Sequence, residues 1–164
     1  MEAVDEPERL TLDALFRAEF ARLVRSLGVA DGTEQAADAV QEAFVQAHRQ
    51  WSRVATMEDP AGWVRRVAVN RLANARRNHR RRSKVLAAIR PPDPSELDAL
   101  DLDLLDAVRA LPSQQRRCVC LHHIGGYRVD DVAAMLDIAP GTVKSHLHDG
   151  RVALRKLLEE NDDE

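Results

Sequence analysis

The arginines carry the clearest chemical message in this sequence. Between Pro60 and Pro92 stand ten basic residues and no acidic one. The flanking stretches hold 6 basic and 12 acidic residues (Met1–Asp59) and 8 basic and 15 acidic residues (Asp93–Glu164), so a block of +10 sits inside a chain of net charge −3. Like charges gathered this way repel one another unless a polyanion accepts them, and a solvated helix face ordinarily mixes signs. The block therefore points to nucleic acid. Arg65, Arg66 and Arg71 share it with Trp63, Asn70 and Asn74. Guanidinium groups neutralise phosphates, amides pair with adenine edges, and an indole stacks on an unpaired base at about 1–3 kcal/mol. Trp63 also falls in an apolar stripe, where core packing is the weightier role.

A second constellation lies near the C-terminus. Val132, Ala133, Leu136, Asp137, Ile138, Gly141, Thr142, Val143 and Leu147 have helix-turn-helix spacing. Ala133 is small where two helices cross, and Leu136, Ile138, Val143 and Leu147 form the wedge between them. Thr142, Lys144, Ser145, His148 and Arg151 then lie on the outer face of the second helix, where short polar and basic side chains suit the major groove. An amphipathic hairpin without a DNA role has the same spacing; the separate basic block favours the DNA reading. Asp38, Gln41 and Glu42 make a third, mildly acidic face among Ala37, Val40 and Phe44, suited to a protein partner unless it is merely solvated.

Other chemistry finds little support. Cys118, Cys120, His122 and His123 stand close together, but Cys120 leaves the helix face that Cys118 and His122 share, so buried thiols outweigh a metal site. No phosphate-cradling glycine loop, nucleophile elbow or carboxylate pair appears. We expect no catalytic residue, no metal and no cofactor. No apolar run approaches the ~20 residues that span a bilayer, and the acidic start lacks the apolar core of a signal peptide, so no membrane insertion and a cytoplasmic location are expected.

These groups need helices to position them. Leu12, Leu15, Phe16, Phe20, Leu23, Val24 and Leu27 recur as one helix stripe, with an end near Gly28 and a cap for the next helix within Asp31–Thr33. Ala36 to Trp51 gives a second helix, and Ser52–Asp59 reads as a loop. Asp59-Pro60 starts a third, by an Asx cap with Pro at the first helical position. Pro91-Pro92-Asp93-Pro94 cannot continue a helix and marks a linker. Beyond it, Leu97–Leu111, a segment capped by Ser113 and running to Gly125, Val129–Leu136 and a helix from Pro140 complete the chain, with the acidic tail from Glu159 frayed. The class is all-α, with two small helical domains on either side of a flexible linker.

Ala37 to Phe44 resembles the region 2 helix of sigma factors, and Trp63 to Leu72 resembles the promoter-binding helix that follows it. Leu111 to Arg116 and Ala139 to Ser145 resemble region 4. Order, linker and length resemble those of the extracytoplasmic-function (ECF, group 4) sigma factors of the sigma-70 family. The resemblance implies a region 2 bundle over 10–88, a linker over 89–96 and a region 4 helix-turn-helix over 97–160. It implies that Asp38, Gln41 and Glu42 dock on the β′ clamp of bacterial core RNA polymerase, whose β flap is a further contact. Trp63, Arg65, Arg66, Asn70, Arg71 and Asn74 would read and open the −10 promoter element, and Thr142, Lys144, Ser145, His148 and Arg151 would read the −35 element. An anti-sigma factor is the expected antagonist. The chain departs from the pattern at His146 and Asp149, where basic residues are usual, at Asp137, where Gly is usual, and at Val129-Asp130-Asp131-Val132 in place of a Ser-x-x-Glu cap. Two competing readings are a stand-alone helix-turn-helix regulator that binds duplex DNA as a dimer, and an interaction protein without DNA contact.

Overall fold

The computed structural model describes residues 10–82 and 102–162. The linker at 89–96, the Lys84 end of the basic run and the start of the expected Leu97 helix lie outside the described residues. Among the described residues the secondary structure is entirely helical: α1 (Leu12–Asp31), α2 (Thr33–Arg49), a short α3 (Trp51–Val54), α4 (Pro60–Arg82), α5 (Leu102–Ala110), α6 (Ser113–Val119) continued by a π-helical turn (Cys120–Ile124), α7 (Val129–Leu136) and α8 (Pro140–Asp162).

Local sequence accounts for most of the boundaries. Thr11 Oγ1 accepts from Ala14 N at 3.1 Å and starts α1. Gly28 does not end α1; the helix runs to Asp31, and Gly32 (φ 108°) makes the break, a conformation open to glycine. Asp31 is therefore no cap for α2, and its carboxylate is used elsewhere. Part of the expected loop after Trp51 is helical, because Val54, fully buried, pulls one turn onto the core. Asp59 Oδ1 accepts from Gly62 N at 2.9 Å over Pro60, as the Asx-Pro pair predicts. Ser113 makes no capping bond; Pro112 occupies the cap position of α6, and Arg116 Nη1 donates to Arg109 O at 2.7 Å at the C-terminal end of α5. The helix α8 continues into the acidic tail as far as Asp162.

Leu23, Val40, Ala43, Ala47, Val64, Ala68 and Leu72 pack among α1, α2 and α4, Val119, Leu121, Val132, Val143 and Leu147 pack among α6, the π-helical turn, α7 and α8, and the two sets join in one continuous core. The two halves pack against each other: α1 touches α5, α6 and the π-helical turn, and α4 touches α7. Val29 and Ala30 at the end of α1 are buried with Leu105, Val108 and Cys120 of the second half. Cys118 and Cys120 are buried free thiols, and burial pushes them up to about 11 and about 12. Phe16, expected on the inward stripe, is 41 % exposed and lies against Phe20 and Phe44, with ring centroids 4.5 and 5.1 Å away.

Gly150 lies in α8 where a Cβ would stand 2.7 Å from Val119 Cγ2. In an open helix, Gly to Ala gains roughly 1 kcal/mol. Here overpacking of a β-branched neighbour reverses the sign, so Gly150→Ala lowers stability by about 1–2 kcal/mol. Urea denaturation measures it, and an unchanged or higher midpoint contradicts the packing described.

Candidate nucleic-acid interface

The helix-turn-helix is α7, a short turn and α8. Asp137 ends α7 in the left-handed region (φ 55°, ψ 48°), and its N–H and that of Ile138 both reach Ala133 O. That turn sets α8 against α7 with Val143 (0 % exposed) and Leu147 as the wedge and with Leu136 and Ile138 half-buried beside them. Thr142, Lys144, Ser145, His148 and Arg151 are all exposed. Lys144, His148 and Arg151 follow one another at helical spacing, and Arg155 extends the row by a turn. Ser145 Oγ donates to Gly141 O at 3.1 Å, which leaves the hydroxyl oxygen free to accept from outside. A Cβ at Gly141 would meet nothing within 4 Å, so the first turn of α8 is open to a ligand backbone. Asp149 is exposed near this row and opposes a phosphate there.

In α4, Val64, Ala68 and Leu72 face inward, and Trp63 is half-buried against the core. Arg66, Asn70 and Asn74 lie along the outward side with Trp63 at the start, and Arg71 flanks them toward α2. Arg71 Nη2 donates to Gln46 Oε1 at 3.0 Å, and its Nη1 lies 3.9 Å from Glu42. Asp38, Gln41 and Glu42 are exposed on α2, and Asp38 and Glu42 share a groove with Arg71 and Asn74. The acidic face of α2 and the amide face of α4 are thus two walls of one surface.

Arg65 stands apart from the other α4 residues. Its side chain is 12 % exposed, and its Nε donates to Glu19 Oε2 at 3.0 Å. Burial opposes its charge, but the hydrogen bond and Coulomb attraction to Glu19 outweigh it, so its pKa is raised. Glu19 is 4 % exposed and also accepts from Tyr127 Oη at 2.7 Å. The Arg22 guanidinium lies 3.8 Å from the Tyr127 ring centroid and donates to the carbonyls of Gly125 and Gly126. A second buried carboxylate, Asp31 (0 % exposed), takes Arg76 at 2.8 Å and Arg117 at 3.1 Å. Sequence reasoning missed both. The available signal was a carboxylate at Glu19 in register with Leu15, Leu23 and Leu27 on the inward stripe of α1.

Among the described residues, no group of three or more His, Cys, Asp or Glu side chains is placed to hold a metal, and no helix is long and apolar enough to cross a membrane.

Comparison with known proteins fits this geometry. Residues 15–82 match the family model of sigma-70 region 2, and residues 101–154 match that of sigma-70 region 4. The chain is 32 % identical over 154 residues to the ECF RNA polymerase sigma factor SigM of Mycobacterium tuberculosis, covering 92 % of this chain and 79 % of that protein. It is 30 % identical over 159 residues to the RNA polymerase sigma-E factor of Streptomyces antibioticus, covering 94 % and 88 %. In fold it is similar to the sigma factor RpoE of Bartonella quintana, solved in complex with the anti-sigma factor NepR, with a TM-score of 0.72, 23 % identity and coverage of 90 % and 95 %. These matches support the first of the three readings and lend nothing to a dimeric repressor. A basic amide-bearing helix and a helix-turn-helix, in the order and spacing of regions 2 and 4, place this chain in the ECF sigma factors of the sigma-70 family.

Proposed function

We propose that this protein binds bacterial core RNA polymerase in the cytoplasm and directs it to specific promoters, without covalent chemistry of its own. Two DNA-binding modules over 10–88 and 97–160, joined by the linker at 89–96, would be docked on one scaffold by the enzyme. Asp38, Gln41 and Glu42 present the acidic face to the β′ clamp, and the second module meets the β flap. Trp63, Arg66, Asn70, Arg71 and Asn74 engage the −10 element as it opens, with Arg65 set behind them. Thr142, Lys144, Ser145, His148 and Arg151 read the −35 element. An anti-sigma factor is the expected antagonist, given that the similar Bartonella quintana protein was solved with one.

One observation carries this reading. The outward residues of α4 and of α8 are unlike in chemistry, and each suits its own form of DNA. On α4, amides and an aromatic accompany the arginines, a set fitted to unpaired bases. On α8, short hydroxyls and basic groups follow a helix N-terminus, a set fitted to duplex edges and phosphates. Binding energy for unpaired bases offsets the cost of melting the duplex.

Run-off transcription from a genomic promoter library with purified core polymerase tests the proposal: specific initiation is expected with the protein added, and a complete lack of stimulation contradicts it. In the same assay Asn70→Ala reduces open complexes by about tenfold, the value of one base contact, while core affinity stays unchanged. An equal loss of core affinity would place Asn70 in the polymerase contact instead. Asp149→Arg removes a repulsion and adds a phosphate partner, so affinity of the holoenzyme for −35 duplex rises a few-fold at 0.1 M salt. Unchanged or weaker binding at fixed salt dismisses that assignment.

A further inference from the structure

Four of the six histidines of the chain, His122, His123, His146 and His148, fall in the half that carries the helix-turn-helix. His148 is exposed between Lys144 and Arg151 at helical spacing, with Asp149 as its neighbour in sequence. The π-helical turn brings two more. His122 is half-buried, and its Nδ1 lies 2.8 Å from Tyr127 O. A carbonyl only accepts, so Nδ1 carries the proton and Nε2 keeps a lone pair. The His122 ring meets that of the exposed His123 edge to face, with centroids 4.8 Å apart. Burial first, then His122 and Arg151 of α8, disfavour the charged form of His123. That sets His123 beside the flank of α8 that carries the basic row. From α1, Arg22 and Glu19 meet the turn at the Gly125 and Gly126 carbonyls and the Tyr127 hydroxyl. From α6, Arg117 turns to Asp31; from α7, Asp131 turns to Arg65 and Asp130 is exposed. His146, two residues from His148, lies on the opposite flank of α8 and is half-buried.

We propose that His123, on the π-helical turn, is a further contact to promoter phosphate beside α8, and that with His148 it makes the grip on −35 duplex proton-dependent. This inference rests on the assignment of α8 to the −35 element. In the free chain the Arg151 cation opposes a charge on His123. A DNA phosphate laid against the same row reverses that sign and favours the protonated ring. At His148 a proton completes a run of three cations, Lys144, His148 and Arg151, along one flank of the helix. Duplex binding therefore takes up protons, and affinity rises as pH falls through the range in which histidine titrates. The chain has His146 and Asp149 where the family usually has basic residues, so fewer permanent cations remain and each proton counts for more. Both rings are exposed as they stand, so contact needs no rearrangement of the turn or of α8.

The test uses the full chain and a fluorescein-labelled duplex of random sequence, titrated over a series of salt concentrations at pH 7.5 and at pH 6. Each phosphate neutralised adds about 0.9 to the slope of log affinity against log salt. Wild type binds about tenfold more tightly at pH 6 than at pH 7.5 in 0.1 M salt, and its salt slope steepens by about 1.5. His123→Gln and His148→Gln lie at exposed positions that the fold does not need, and each removes about half of the gain. The double variant loses the steepening, whereas His48→Gln, on α2, keeps it. His123→Lys carries its charge at both pH values and binds about threefold more tightly than wild type at pH 7.5. Equal salt slopes of wild type at the two pH values, or a steepening that survives in the double variant, overturn the proposal. A gain that His123→Gln leaves whole removes His123 from the contact. Run-off transcription by wild type separates the two proposals: an active protein whose duplex binding ignores pH loses the proton-dependent grip alone, whereas an inactive one loses the promoter assignment.

Discussion

The arrangement depends on one buried carboxylate. Glu19 lies at 4 % exposure in the middle of the apolar stripe of α1. Taking such a charge out of water costs several kcal/mol, and it persists only where cations and hydrogen-bond donors meet it with good geometry. Its partners come from different parts of the chain: Arg65 from α4 and Tyr127 from the loop that precedes α7. Burial and the nearby Glu19 charge push the Tyr127 phenol far above its ordinary range, so it stays a donor. Arg65 and Arg22 belong to the half that carries Glu19, so the Tyr127 hydroxyl is the partner that only the meeting of the two halves supplies. Asp31 repeats the logic at the other end of α1, with Arg76 from α4 and Arg117 from α6 on one carboxylate.

The same constraint sorts the basic residues of α4 by function. Arg65 and Arg76 turn toward buried carboxylates and help hold the fold together. Arg66, Asn70 and Asn74 remain on the outward side, and Arg71 bridges to α2. A block of +10 is thus not a uniform phosphate-binding surface. The exposed pairs along it are individually weak and readily exchanged for phosphate, as befits a surface that must change partners. On α8 no such compromise arises, because Val143, Leu147 and Gly150 take up the inward side and leave the outer row free.

Much of this was legible in the residues, and the exceptions have physical reasons. Asp59-Pro60, Val129–Leu136 and the start at Pro140 were readable because capping and hydrophobic period agree there with the tertiary fold. Gly28 reads as the end of α1, but it is tolerated inside the helix while Gly32, with positive φ, makes the turn. Phe16 matched the period but not the burial, since its ring packs on Phe20 and Phe44 at the surface. Arg65 read as one of a row of cations; its inward course depends on Glu19, 46 positions away, and no local pattern reports such a pairing. Asp131 and Asp137 stood out only as departures from the family pattern, and their arginine partners emerge once α7 is seen against α4.

Glu19 holds α4 and α7 in contact in the free protein. Spin labels at Asn74 and Ala134, both exposed, measured by pulsed electron paramagnetic resonance, address it directly. The account predicts one short, narrow distance distribution for the wild-type chain that lengthens and broadens in Glu19→Ala. A distribution that is already long and broad in the wild type, or one that Glu19→Ala leaves unchanged, would contradict it.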